Sequence, residues 1–169
     1  PNPINFYGET KWEAEKIIRN SKTPWAIVRT CLVYGTNFQL TRSNIVLWVI
    51  NNLRQRNPIR VVVDQWRTPT LVEDLAEGCL TILKRQAKGI FHLAGKDFLR
   101  PYDLAHLTAQ IFDLDATLIS PTDASQFKEI GKRPLKTGLD ISKAKAELDY
   151  SPRSVVEGLC LMREQFKNF

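Results

Sequence analysis

The chain has 169 residues, 43% of them hydrophobic and 25% charged, which is typical of one globular domain with a hydrophobic core and excludes a disordered chain. Its formal charge of +6 is spread among acidic residues, so a solvated surface and an anionic small ligand explain it better than a nucleic-acid partner. The longest apolar run, residues 45–50, is far short of the roughly 20 residues that cross a bilayer. We therefore expect no nucleic acid, no membrane partner and a cytoplasmic protein.

The cysteines argue against a disulfide framework or a metal site. Cys31, Cys79 and Cys160 are far apart and lie among apolar residues, and the sequence contains no C-x-x-C pair. His92 and His106 are not at metal-ligand spacing from them. We expect buried free thiols in a reducing compartment and no bound metal.

In chain order, the first third of the sequence alternates between helix and strand. Apolar residues at helical spacing predict a helix over about 7–20, and a continuous apolar run predicts a buried parallel strand over 25–31. A turn at 32–35 leads to a second helix over about 43–55, and a β-branched strand follows over 59–63. This alternation is typical of an α/β protein.

The rest of the chain continues the pattern less regularly. Residues 64–70 form an extended polar loop that contains a proline. The remaining predicted elements are helices over 72–85, 101–113, 123–130, 141–148 and 154–167, a strand over 89–94, and a loop or short strand over 131–140. These strands are too few and too unevenly ordered for a complete doubly wound sheet, so we expect the C-terminal part of a longer polypeptide.

The first predicted helix carries the strongest chemical signal, a tyrosine and a lysine four residues apart. Tyr7 and Lys11 lie one turn apart on one helix face. A phenol with a pKa near ~10 is a poor acid or base at neutral pH, but a nearby ammonium stabilises the phenolate. Such a pair can move a proton to or from an alcohol or carbonyl oxygen while a cofactor moves the hydride. A surface tyrosine beside a solvated lysine is the alternative.

Several motifs together resemble the extended short-chain dehydrogenase/reductase family. Residues 5–11 (NFYGETK), followed by Ala14 and Glu15, are similar to the family's active-site helix, and residues 28–35 (VRTCLVYG) to the strand beside the nicotinamide. Residues 61–76 (VVVDQWRTPTLVEDLA) resemble a stretch of the dTDP-4-dehydrorhamnose reductase branch. The match continues in order through residues 89–95, 132–134 and 139–143.

The resemblance implies a catalytic and cofactor-binding side of the site. Tyr7 would be the general acid or base, and Lys11 would assist it and bind the nicotinamide ribose of NADP or NAD. The segment beside the nicotinamide would comprise Thr30, Cys31, Leu32 and Val33. The sequence contains no glycine-rich strand-to-helix turn for the dinucleotide phosphates, so we expect this chain alone to bind the cofactor poorly and to lack turnover.

The resemblance also implies a substrate side, with a nucleotide sugar or another small carbonyl compound as substrate. The residues that would contact it are Arg67, Thr68, Thr70 and Arg133. Two structural alternatives stay open: that Arg29 is an ion-pair partner in its strand, and that Thr70 caps the following helix. Trp66 and Arg67 stand where the sugar reductases are expected to carry a glycine-containing stretch.

The implied architecture is an incomplete Rossmann-type parallel sheet with a small substrate-binding α/β subdomain. Residues 1–58 would be the remnant of the dinucleotide-binding domain, and residues 59–169 mostly the substrate-binding subdomain. We expect an NAD(P)-dependent reductase, with a homodimer formed through the Tyr/Lys helix. The alternatives are a nucleotide-sugar epimerase or dehydratase of the same family, or a non-catalytic regulator that resembles the methionine adenosyltransferase β subunit.

Overall fold

The computed structural model describes residues 2–36, 44–126 and 134–167. Within these residues the chain is α/β, as predicted, with helices that alternate with short strands. The helices are α1 (Phe6–Arg19), α2 (Ile45–Arg54), α3 (Val72–Arg85), α4 (Pro101–Ile111), α5 (Ser142–Leu148) and α6 (Val155–Lys167). The strands are β1 (Ala26–Arg29), β2 (Val33–Tyr34), β3 (Ile59–Val62), β4 (Trp66–Arg67), β5 (Thr70–Leu71), β6 (Gly89–His92), β7 (Ile119–Thr122) and β8 (Lys136–Thr137).

The strands form parallel pairs, which confirms the predicted incomplete parallel sheet. β1 pairs with β6, β2 with β5, β3 with β7, and β4 with β8. In the first pair, Ala26 lies beside Gly89 and Arg29 beside His92. The carboxyl ends of β1 and β6 therefore meet at one edge, where open α/β sheets usually bind their ligands.

Three apolar clusters hold α2 to α6 against these strands. Phe91 and Leu93, at and after the end of β6, pack with Ala144 and Leu148 of α5. A second cluster joins β2, α2, α4 and α6 through Tyr34, Val46, Ile50, Leu104, Leu159 and Met162. The third cluster joins α2, β3, α4 and β7 through Val49, Leu53, Ile59, Val61, Ala105 and Ile119. All three sets are buried, so the core follows the apolar stripes of α2 to α6.

The structure corrects several predicted elements. The strand predicted over 25–31 covers only Ala26–Arg29, and short strands β2, β4 and β5 lie in segments predicted as turn or loop. β7 was predicted as neither helix nor strand. Of the helix predicted over 123–130, the structure shows a 3-10 turn at Ala124–Gln126, and residues 127–130 lie outside the described ones. The proposed division at residue 58 stays a prediction.

The cysteine prediction is partly wrong. All three thiols are free, but only Cys31 is buried, whereas Cys79 is half-buried and Cys160 is exposed. Within residues 2–36, 44–126 and 134–167, no cluster of three or more His, Cys, Asp or Glu side chains could hold a metal ion. In the same residues, no helix is long and apolar enough to span a bilayer.

Candidate active site

The Tyr–Lys pair lies near the start of α1, and its side chains share one side of the helix. Asn5 caps the helix, because its side-chain oxygen accepts a hydrogen bond of 2.8 Å from the Gly8 N–H. The Lys11 Nζ lies 5.6 Å from the centroid of the Tyr7 ring, as the four-residue spacing predicts. Tyr7 is 71% exposed, so the phenol is open to a ligand.

An ion pair fixes α1 to β1. The Arg29 Nε donates to Glu15 Oε1 at 2.7 Å, and its Nη2 donates to Glu15 Oε2 at 2.6 Å. This hydrogen-bonded guanidinium lowers the pKa of the Glu15 carboxyl below its ordinary value and raises the pKa of Arg29. The alternative that Arg29 is a structural ion-pair partner is therefore confirmed.

The ion pair joins the second half of α1 to the last residue of β1. Residues 20–25 connect the two elements. Tyr7 precedes Glu15 by eight residues, which is about 12 Å along a helix with a rise of ~1.5 Å per residue. Tyr7 therefore lies about 12 Å along the helix from the contact with Arg29, the residue that precedes the predicted nicotinamide segment.

Thr70 joins the two segments predicted to face cofactor and substrate. Its hydroxyl donates to the Cys31 carbonyl oxygen at 2.8 Å, and its N–H donates to the Leu32 carbonyl oxygen at 3.2 Å. The Thr70 hydroxyl oxygen also accepts hydrogen bonds of 3.3 Å from the Thr30 hydroxyl and from the Gly95 N–H. Thr70 is fully buried and does not cap α3, so the capping alternative is wrong.

Arg67 is placed inside the protein rather than at an open surface. It is only 9% exposed, and its guanidinium donates to Gln65 Oε1 at 2.6 Å and to the carbonyl oxygens of Trp66 and Leu135 at 2.8 and 3.3 Å. These hydrogen bonds give Arg67 a structural role. Its predicted contact with substrate stays a prediction.

The two remaining predicted substrate residues are Thr68 and Arg133. Thr68 is buried, and no hydrogen-bond partner for its hydroxyl is found among the described residues. It lines an open pocket of about 400 Å³, and the other lining residues include Lys96, Phe98, Asp140 and Lys145. Arg133 lies outside the described residues.

Glu15 lies within the motif of the first helix, but the sequence alone predicts no role for it. Glu15 follows Lys11 by four residues, as Lys11 follows Tyr7, so all three side chains lie along one side of α1. That spacing was the available signal, but its partner Arg29 belongs to another element. The pocket residues Lys96 and Lys145 carried no signal, because each stands alone among ordinary surface residues.

Parallel strands that alternate with helices define a Rossmann-type α/β protein, and its first helix carries an exposed Tyr–Lys pair. Residues 1–168 match the family described as the RmlD substrate binding domain. The chain belongs to this family.

Relatives and solved structures agree with that membership. The chain is 27% identical to the probable low-salt glycan biosynthesis reductase Agl14 of Haloferax volcanii, covering 100% of this chain and 57% of that protein. It is 31% identical to methionine adenosyltransferase 2 subunit beta of Xenopus tropicalis, covering 85% and 44%. It is 30% identical to the dTDP-4-keto-6-deoxy-D-glucose reductase of Streptomyces niveus, covering 82% and 47%. The chain thus spans about half the length of the curated relatives it matches.

Among solved structures, a dTDP-4-dehydrorhamnose reductase ortholog from Clostridium acetobutylicum superposes with a TM-score of 0.88 at 28% identity, covering 98% of this chain and 57% of that one. The Bacillus anthracis enzyme in complex with NADP gives 0.89 at 24% identity, with 98% and 57% covered. The matched region is the C-terminal part of these structures, which confirms the predicted fold class.

Proposed function

We propose that this chain supplies the proton-transfer helix and the substrate-binding part of an NAD(P)-dependent reductase that acts on a carbonyl of a nucleotide sugar. The observation that carries the proposal is the geometry of Tyr7 and Lys11, with the ammonium 5.6 Å from the ring centroid and the phenol 71% exposed. Membership of the RmlD substrate binding domain family supports the class of substrate.

The proposed reaction assigns a separate task to each part of the site. The bound dinucleotide would supply a hydride to the carbonyl carbon, which becomes the carbon of an alcohol. Tyr7 gives its phenolic proton to the carbonyl oxygen, and Lys11 stabilises the phenolate that remains. The proton on Tyr7 is then restored from solvent, to which the ring is open.

The residues present fit a nicotinamide at this edge of the sheet. The Lys11 ammonium can donate to ribose hydroxyls, and the turn over residues 30–33 is held in place by the buried Thr70. We propose NADPH rather than NADH, in line with the NADP complex of the Bacillus anthracis structure. The dinucleotide phosphates would need a glycine-rich turn that residues 1–169 do not contain.

The test is an assay of the whole protein to which this chain belongs. We expect NADPH consumption with a dTDP-4-keto-6-deoxy sugar, and we expect Tyr7→Phe to lower kcat by about 10²–10⁴-fold because the proton donor is lost. Tyr102→Phe is the matched control, since Tyr102 packs against His106 in α4 and serves no step. Full activity of Tyr7→Phe would remove Tyr7 from the mechanism.

A second candidate function is a non-catalytic regulatory subunit. The 31% identity to methionine adenosyltransferase 2 subunit beta favours it, because that relative is named as a subunit and not as a reductase. A regulator would leave NADPH unconsumed with every sugar tested and would co-migrate with a methionine adenosyltransferase catalytic subunit. An epimerase would instead convert a nucleotide sugar to its isomer without net loss of NADPH.

The homodimer that the resemblance implies is likewise a proposal. Phe6 and Ile17 of α1 are 78% and 73% exposed, which is unusual for large apolar side chains and suits a contact surface. Light scattering of the whole protein gives the test, with Ile17→Glu expected to shift a dimer toward the monomer. A monomeric mass for the unsubstituted protein would exclude it.

A further inference from the structure

The helix that carries Tyr7 and Lys11 lacks the apolar anchoring that holds the other long helices. None of the 14 residues of α1 is buried, whereas α2, α3, α4 and α6 each bury several. Apolar burial is the usual source of helix stability in proteins. Because the chain spans about half the length of its relatives, this exposure describes α1 within residues 1–169, where the ion pair between Glu15 and Arg29 joins the helix to β1.

We propose that Glu15 and Arg29 are positioning residues, whose ion pair sets the distance and rotation of α1 against the turn at residues 30–33. The proposal rests on the proposed function, since that turn is where the nicotinamide would lie. Two parallel N–H···O bonds of 2.7 and 2.6 Å join the guanidinium to the carboxylate. A bidentate contact of this kind fixes orientation as well as separation, which one hydrogen bond cannot do.

The position of Glu15 on the helix determines what its bond controls. Tyr7, Lys11 and Glu15 are spaced by four residues, so each side chain is displaced by about 40° from the one before, given ~3.6 residues per turn. All three stay on one half of the helix surface. Because Arg29 holds Glu15 against the end of β1, the same contact fixes the rotation of the helix that carries Lys11 and Tyr7.

The other end of the ion pair is attached to the cofactor segment. Arg29 is the last residue of β1, and the next residue, Thr30, begins the turn whose atoms bond to the buried Thr70. A shift of Arg29 would therefore move that turn, and a shift of Glu15 would move the Tyr–Lys pair. The ion pair therefore connects the helix that carries the proposed proton donor, Tyr7, to the segment where the nicotinamide would lie.

Arg19 does not provide the same constraint. Its guanidinium lies 3.9 Å from Glu15 Oε2, at the outer limit of an ion pair, and it belongs to α1 itself. A contact within one helix cannot position that helix against the sheet. Of these two ion pairs of Glu15, the one with Arg29 joins α1 to β1.

The experiment measures the reductase reaction of the whole protein with Glu15→Gln, Arg29→Met and the double variant. We expect kcat to fall roughly 10–100-fold in each, since small misplacements of reacting groups have effects of that order, while KM changes less than about threefold. The double variant should be no slower than the single ones, because both remove one contact. Arg29→Lys should have a higher kcat than Arg29→Met, since lysine keeps the positive charge but lacks the two parallel N–H donors of the guanidinium.

Glu13→Gln is the matched control, since Glu13 lies on the same helix and pairs only with the exposed Lys16. Its kcat should stay within about twofold of the unsubstituted value, as exposed pairs of this kind contribute little. An equal kcat for Glu15→Gln and Glu13→Gln, or a rise in KM alone, overturns the proposal.

Amide hydrogen exchange separates this proposal from the proposed function. We expect Glu15→Gln to speed exchange in α1 while β6 keeps its protection, because only the anchor of the helix is lost. Unchanged hydrogen exchange in α1 would reject the positioning role of the Glu15–Arg29 ion pair, whatever the reductase assay shows. Faster hydrogen exchange in α1, together with no reductase activity in the unsubstituted protein, would support the positioning role of the ion pair and reject the proposed reductase function.

Discussion

The Thr70 hydroxyl donates a hydrogen bond of 2.8 Å to the carbonyl oxygen of Cys31, and both residues are buried. The two residues are 39 positions apart, one in the loop predicted to bind substrate and the other in the turn predicted to face the nicotinamide. A buried hydrogen bond is costly to leave unmade. The two segments are therefore expected to keep their relative position when ligands bind.

Thr70→Val tests this link, because valine has nearly the shape of threonine without the hydroxyl. We expect a loss of about 1–3 kcal/mol in the free energy of unfolding, since the Cys31 carbonyl and the Gly95 N–H lose their partner. Denaturant titration followed by circular dichroism measures it. Thr70→Ser keeps the hydroxyl and should recover part of the loss, and equal stability of Thr70→Val and the unsubstituted chain would contradict the prediction.

Gly95→Ala is expected to destabilise the same region for a steric reason. A Cβ atom built at Gly95 would lie 1.9 Å from the Pro69 carbonyl oxygen, which belongs to the backbone and cannot rotate away. Overpacking of this kind costs about 1–3 kcal/mol or more, measured as a lower denaturation midpoint. Gly8→Ala is the control, because its nearest contact is the Pro3 Cβ at 3.1 Å, and a midpoint shift as large as that of Gly95→Ala would exclude the steric explanation.

The helices could be predicted from the sequence because each carries its own apolar stripe. The predicted helix over 72–85 agrees with α3 to the residue, and α5 differs by one position. β7 could not be predicted, since Pro121 interrupts its sequence. Proline is tolerated there because β7 pairs with β3 alone among the described strands, so one edge of β7 needs no N–H from it.

The site was only partly predictable for a related reason. The Tyr7–Lys11 contact is local, and a four-residue spacing on a helix determines it. The contacts of Glu15 with Arg29 and of Thr70 with Cys31 join residues 14 and 39 positions apart, which only the folded chain brings together. The polar character of Thr70 suggested a helix cap, whereas the buried hydroxyl contacts two other segments, one at Thr30 and Cys31 and one at Gly95.

The start of α6 gives a prediction about pH. The Ser154 hydroxyl and N–H each donate to Glu157 Oε2 at 2.6 Å, and Lys96 lies 3.3 Å from the same oxygen. These contacts lower the pKa of Glu157 to about 2 from an ordinary value of 4.5. Because the folded-state pKa is the lower one, the carboxylate stabilises the fold above pH 4.5, and this contribution is lost as the pH falls toward 2.

Glu157→Gln is the variant that measures this contribution. The difference in thermal midpoint between it and the unsubstituted chain should be largest near neutral pH and should shrink steadily below about pH 4.5. Ser154→Ala should reduce the same pH-dependent part, since it removes one of the two donors. A difference that stays constant between pH 7 and pH 2 would show that the charge of Glu157 contributes nothing.

Arg67→Lys separates a structural role of Arg67 from its predicted contact with substrate. The guanidinium donates in several directions at once, to Gln65 and to the carbonyl oxygens of Trp66 and Leu135, and a lysine ammonium on a flexible stem cannot reproduce that fork. We expect the variant to lose about 1–3 kcal/mol in the free energy of unfolding without any ligand, measured by denaturant titration. Arg60→Lys is the control, because Arg60 is exposed and donates to the Thr122 hydroxyl at its strand edge. Unchanged stability together with a raised KM for the nucleotide sugar would instead assign Arg67 to substrate binding, since its internal bonds would then be dispensable.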